Sequence, residues 1–200
     1  MPFYQIENGG AETDMLETDR LLLKMPAEVT PAELAAYRVR NRAFLAPFVP
    51  KRPESYYTED TCRGTLETIW KDWEAGKAYF FHLYLKQEPD RMVGSVSLTE
   101  VVRGFFQSCF AGCQLDGELI NNGYMTEAVT AVVDYAFDVL NLHRIEANIM
   151  PRNARSLRLA QKCGFEKEGL AKDYLRINGK WEDHVHMVRR NPNWKAPEDV

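Results

Sequence analysis

The stretch that decides the fold runs from Leu115 to Phe165: LDGELINNGYMTEAVTAVVDYAFDVLNLHRIEANIMPRNARSLRLAQKCGF. An end of sheet at Leu115 leads into the turn Asn121-Asn122-Gly123, and from Tyr124 the positions Ala128, Val132, Tyr135/Ala136 and Val139 recur at helical spacing. Arg144 to Ile149 alternates as a strand does. A second helix opens at Pro151-Arg152-Asn153 and closes at Cys163-Gly164-Phe165. A helix N-terminus carries unsatisfied N–H groups and a partial positive charge, so a tight turn directly before one is a ready anion site. Gly123 tolerates a positive φ and close backbone approach, and asparagine is the next-best residue there. Glu127, in the first turn, suits the helix dipole better than catalysis. Asn153 is placed to cap the second helix, Ser156 sits one turn in, and Gly164 ends it as a left-handed cap. This order of parts is a phosphate cradle with a slot beside it.

Working outward, residues 1–16 read as an N-terminal arm, and Thr18 to Met25 as a first strand. Thr30-Pro31-Ala32-Glu33 opens a helix, with Thr30 as cap and Pro31 in the first turn. Residues 41–57 carry Phe44, Phe48, Tyr56 and Tyr57 among Pro47, Pro50 and Pro53, too aromatic for a linker and too proline-rich for a helix; this is a candidate substrate-side loop. A helix over 58–75 stops at Gly76. Tyr79, Phe81, Leu83 and Leu85 then alternate with Phe80, His82, Tyr84 and Lys86, and a turn at Glu88-Pro89-Asp90 leads to a strand over 91–98. Val101 to Gly104 leads into a strand over 105–115. The last two strands, 165–177 and 181–188, are joined by Asn178-Gly179, a hairpin signal. The sum is an α/β chain with a mixed, mainly antiparallel sheet, whose parallel pair is supplied by the crossover through the 123–140 helix.

Two hundred residues suit one domain with arms. A net charge of -4 argues against a general nucleic-acid coat, so no DNA partner is expected. No run approaches the roughly 18 apolar residues of a membrane span, and the start lacks a secretory signal, which makes the cytoplasm the expected compartment. The four cysteines form no CxxC pair and read as reduced thiols; no metal is expected.

The residues Thr18-Asp19-Arg20-Leu21, Val101 to Gly104, Met125 to Ala128, His143-Arg144-Ile145 with Ala147-Asn148, Met150 to Asn153, Gly164 to Gly169, Ala171 to Leu175 and Trp181 to Val185 carry a likeness. On them the chain resembles the GCN5-related N-acetyltransferase (GNAT) superfamily over about 17–194, leaving 195–200 as a tail. Within the superfamily it resembles the ribosomal-protein alanine N-acetyltransferases. The resemblance implies the GNAT acyl-CoA N-acyltransferase fold, with helices flanking a sheet whose central strands splay. It implies acetyl-CoA as co-substrate between those strands, its pyrophosphate on Asn121, Asn122, Gly123, Met125 and the Thr126 hydroxyl. Cys113, Gln114, Leu115 and Asn148 would flank it, with Asn153 beside the pantetheine arm and Ser156 protonating the departing thiolate. The implied acceptor is the N-terminal alanine of a ribosomal protein such as S5, with ribosome association possible and a monomer or homodimer as the assembly. The chain departs from the family in having Asn121 for a glycine and Glu118 for a basic residue or glutamine. An acid there weakens pyrophosphate binding unless it points away.

Acetyl transfer needs a neutral amine. An N-terminal amine, with a pKa near 7.7–8.0, is roughly a tenth neutral at pH 7, so a modest base suffices. Glu100, near a strand end, is the first candidate by placement; Asp173, Asp183, His82, His184 and His186 remain open. Ser156 competes with Tyr174 as the acid. Backbone N–H groups around Cys113–Leu115 are candidates to stabilise the oxyanion, and Cys113 is the outsider as a covalent nucleophile. Arg40, Arg42, Lys51 and Arg103 are candidate contacts for RNA or an acidic peptide. Two other readings fit the same scaffold: acetylation of a small-molecule amine, and a non-catalytic ribosome-associated or acyl-CoA-sensing module.

Overall fold

A computed structural model describes residues 16–196. Strands β1 (Leu16–Glu17) and β2 (Leu21–Lys24) precede helices α1 (Pro31–Arg40), α2 (Arg42–Leu45) and α3 (Glu59–Glu74). Three long strands follow, β3 (Tyr79–Leu85), β4 (Glu88–Val102) and β5 (Ser108–Leu115). Helix α4 (Tyr124–Asp134), extended by a π turn over Tyr135–Val139, leads to β6 (Arg144–Ile149). Helix α5 (Ala154–Lys162) and the hairpin β7 (Glu166–Ile177) and β8 (Lys180–Arg190) complete the order. The strands form one sheet in the order β1-β2-β3-β4-β5-β6-β8-β7. Every neighbouring pair is antiparallel except β5 and β6, the pair joined through α4.

Local chemistry explains the helix limits. Thr30 and Glu33 form a reciprocal capping box on α1, and Thr58 caps α3. Asn153 accepts the Ser156 N–H at the start of α5, and Gly164 takes φ +78° after its end. Asn178 and Gly179 both have positive φ, as a tight two-residue hairpin turn requires. One face of the sheet, including Phe81, Val96, Leu98, Cys109, Ile145 and Met187, packs on Ala128, Val132 and Ala136. A second cluster joins Tyr84 and Met92 to Leu34, Tyr37, Cys62 and Ile69 of α1 and α3.

Several expectations are corrected. Strand β3 is buried on both faces, because α1 and α3 cover the side carrying His82 and Tyr84. The β3–β4 reversal lies at Lys86-Gln87, and Glu88, Pro89 and Asp90 already belong to β4; proline is tolerated there at a strand start. Strand β5 begins at Ser108, leaving Phe105 and Phe106 exposed in the connection. The 41–57 segment holds a short helix, α2, which stops before Pro47. Thr18 and Arg20 belong to the turn before β2, where the Thr18 N–H donates to the Leu21 carbonyl. The proposed arm and tail lie largely outside the described residues; Leu16 pairs with Leu23 in the sheet, and Asn141 donates to the Lys195 carbonyl.

Candidate active site

The cleft follows from the pairing of β5 and β6, which are joined at Ser108↔Arg144, Cys109↔Ile145 and Phe110↔Glu146. Beyond Phe110, β5 stays with β4 as far as Leu115, while β6 stays with β8 as far as Ile149. The two strands therefore part, and the inner edge of β5 from Ala111 onward keeps backbone groups unspent by the ladder. Between them lies a cleft of about 600 Å³, floored by Val96, Leu98, Val129 and Val132. Phe44, Leu45, Phe48 and Val49 roof it. Asn178 and Arg152 fix that roof by donating to the carbonyls of Ala46 (2.7 Å) and Pro47 (2.9 Å).

Asn121 and Gly123 take φ +65° and +83°, and the Asn122 amide closes the turn on the carbonyls of Leu119 and Ile120. The first intrahelical bond of α4 runs from Glu127 N–H to Gly123 O at 3.1 Å, so the N–H groups of Tyr124, Met125 and Thr126 have no intrahelical partner. Glu127 accepts from the Thr18 hydroxyl (2.5 Å) and from the Arg20 N–H (2.9 Å) and Nε (2.7 Å). Burial pushes its carboxyl up, but the bonds from Thr18 and Arg20 outweigh that and hold it below the usual range. Beyond the helix-dipole charge its position suggests, Glu127 is thus a structural anchor, and it brings the Arg20 guanidinium within 3.1 Å of the Asn122 carbonyl. Arg20 was missed in the sequence because its partner lies more than a hundred residues away.

Glu118 bonds Arg91 at 2.9 Å, and Arg91 also reaches Asp116 at 3.1 Å. A cation from β4 therefore compensates the acid that departs from the family pattern. Asn121, Gly123, Met125, Thr126, Asn153 and Ser156 all line the cleft, as do Cys113, Gln114, Leu115 and Asn148. Arg155, Arg158 and Lys162 join them from α5. Their i, i+3, i+7 spacing puts three cations on one helix face, a signal readable in the sequence but overlooked. Open helix N–H groups, a glycine turn, nearby cations and an unpaired strand edge fit a diphosphate ester with a long polar arm.

The catalytic candidates separate. Ser156 lies half-buried on the wall, its N–H held by Asn153 Oδ1 at 3.3 Å. Tyr174 stands behind Asn148, whose Nδ2 donates to its hydroxyl at 3.3 Å. Burial, with the charges of Glu146 and Glu100, raises the Tyr174 pKa, keeping it protonated. Glu100 is exposed at φ +50° in a β-bulge and does not line the wall. His82 is buried beneath the helices, and desolvation lowers its pKa to about 4. Asp183 accepts the Asp173 N–H (3.0 Å) and a bond from Lys172 (2.7 Å), pinning the β7 bulge. His186 Nδ1 is bound to Glu146 at 2.6 Å. His184 is on the wall. Cys113 is accessible in the cleft, yet desolvation by the surrounding protein, with Cys163 nearby, pushes its thiol up to about 12, against the thiolate that a nucleophile needs. Arg40 is engaged by Asp116 at 2.6 Å, Arg42 by Glu54, and Arg103 by the Leu140 carbonyl at 2.6 Å, so these three cations already have partners. Among the described residues no metal-ligand cluster occurs, and no helix is long and apolar enough to cross a membrane.

The Acetyltransferase (GNAT) domain model matches residues 20–166. The chain is 43% identical over 169 residues to "Probable N-acetyltransferase YjcK" of Bacillus subtilis, covering 84% of this chain and 93% of that protein. It is 38% identical over 179 residues to the [Ribosomal protein uS5]-alanine N-acetyltransferase of Escherichia coli, covering 90% and 92%. Among solved structures, the ribosomal-protein-S5-alanine acetyltransferase of Vibrio fischeri superposes with a TM-score of 0.84 at 34% identity, covering 91% of this chain and 99% of that one. With its splayed strands and phosphate turn, the chain belongs to the GNAT acetyltransferase family and is an acetyl-CoA-dependent N-acetyltransferase.

Proposed function

We propose that the protein acetylates the α-amine of an N-terminal alanine on a ribosomal protein, uS5 being the model acceptor, in the cytoplasm. The observation that carries this is the likeness to the uS5-alanine enzymes along nearly the whole of both chains. Acetyl-CoA supplies an acyl group activated as a thioester. The N–H groups at the start of α4, Thr126 and the cations of α5 hold its phosphates, while Asn153 and the free edge of β5 hold its arm. Ser156 delivers a proton to the departing sulfur. Asn148, tied to the protonated Tyr174, fixes the amine's approach.

The fixed aromatic roof, Phe44 and Phe48, favours a second reading, a small amine taken into a closed pocket. Turnover is measured with a peptide bearing free N-terminal alanine, one with a blocked N-terminus and an internal lysine, one with N-terminal serine, and spermidine. The proposal expects CoA release with the alanine peptide at the highest rate. Turnover of spermidine or the blocked lysine peptide instead would replace it.

A further inference from the structure

We infer that His184 is the base that accepts the proton of the incoming amine, an assignment that rests on the proposed α-amine reaction. His184 is 3% exposed yet lines the cleft from β8, two residues along the strand from His186, which pairs with Asn148. Its Nδ1 lies 3.0 Å from the carbonyl of Glu182. A carbonyl can only accept, so Nδ1 carries the hydrogen and the neutral ring presents its lone pair at Nε2. Among the described residues Nε2 meets no hydrogen-bond partner, and it is not sealed from solvent. The ring is steadied by Tyr174, 5.6 Å away, whose own hydroxyl is taken by Asn148.

The neighbouring groups are otherwise committed. His186 has the same Nδ1 anchoring, to Glu146, but its Nε2 is buried. Asp183 is tied to Lys172 and Glu182 to Arg152, and Tyr174 is protonated. Glu100 is off the wall. Of the base candidates, His184 alone combines a cleft position with a free, tautomer-fixed lone pair.

The step balances as follows. The α-ammonium gives one proton to His184 Nε2, and the freed nitrogen bonds to the acyl carbon as the carbon–sulfur bond breaks. The second proton reaches the departing sulfur by way of Ser156, and the imidazolium returns its proton to water. The products are the acetylated amine, CoA thiol and one proton.

The test is His184→Gln, assayed with the alanine peptide alongside wild type. Because roughly a tenth of the amine is already neutral at pH 7, the expected fall in kcat is about 10–100-fold, the low end for general bases, with peptide KM unchanged. The deficit narrows toward pH 9, where the ammonium loses its proton to solvent unaided. Independently of turnover, ¹⁵N NMR of histidine-labelled wild type should show His184 protonated at Nδ1 and bare at Nε2 at pH 8, with the Nε2 signal moving on addition of the alanine peptide. A kcat within threefold of wild type with an unchanged pH profile, or an Nε2–H tautomer, overturns the assignment. If the variant does not fold, the tautomer and the peptide response decide. A wild type inactive on the alanine peptide would fault the proposed acceptor instead, a separate outcome.

Discussion

Replacing Gly123 by alanine tests the phosphate cradle at its narrowest point. Gly123 holds φ +83° and ψ -9° at the start of α4. An added Cβ would lie 3.4 Å from Arg20 Nη2, an ordinary contact, so the cost is conformational rather than a clash. For an L-residue in this region the cost is about 1–2 kcal/mol. At about 2–4 °C per kcal/mol for a domain of this size, the melting temperature falls by about 2–8 °C. A turn that relaxes toward negative φ also re-aims the N–H groups of Tyr124, Met125 and Thr126. Losing one charge-assisted bond to phosphate is worth about 1.5–3 kcal/mol, so the Kd for acetyl-CoA in titration calorimetry rises about tenfold or more. Gly64→Ala is the control: it lies in α3 with nothing within 4 Å of the added Cβ, and it stabilises by about 0.5–1 kcal/mol without changing that Kd. Wild-type Kd and melting temperature in Gly123→Ala would refute the assignment of this turn.

Gly94→Ala places a Cβ 2.5 Å from the Gln114 carbonyl oxygen, forcing β4 from β5; destabilisation of about 1–3 kcal/mol is expected in denaturant titration, and an unchanged midpoint would contradict the Gly94↔Leu115 register. The pKa of His82 is lowered to about 4 in the folded state, so the unfolded chain binds the extra proton between pH 6.5 and 4. The stability is present above pH 6.5 and is lost as the pH falls toward 4, by about 2 kcal/mol between pH 7 and 5, a slope that His82→Leu should remove from denaturation curves. Ser156→Ala should lower kcat about 100-fold while leaving acetyl-CoA affinity unchanged, measured by steady-state kinetics and calorimetry; an unaltered kcat would exclude Ser156 as the acid.

What the sequence made legible was local. The Asn121-Asn122-Gly123 turn, the Thr30 and Asn153 caps and the Asn178-Gly179 hairpin each depend on a few adjacent residues whose backbone preferences act alone. The splay of β5 from β6 followed from the resemblance, and the β5–β6 pairing, which ends at Phe110↔Glu146, bears it out. What stayed hidden depends on partners distant in sequence. The double burial of β3 is set by α1 and α3, the compensation of Glu118 by Arg91, and the clamping of Arg20 by Glu127. The histidines of β8 looked equivalent because alternation puts both on one face; only the Glu182 carbonyl, the Glu146 carboxylate and the cleft tell them apart. Glu100 was favoured by its nearness to a strand end, but the bulge between Thr99 and Val102 leaves it exposed and off the wall.

The most direct test of the account is a crystal structure of the protein with CoA and a peptide bearing a free N-terminal alanine. The account expects the pantetheine arm between Ala111–Leu115 and Ala147–Ile149, the pyrophosphate on the N–H groups of Tyr124, Met125 and Thr126, and the peptide amine beside Asn148 and His184. A pyrophosphate bound away from the 121–126 turn, or an N-terminus docked outside the cleft, would contradict it.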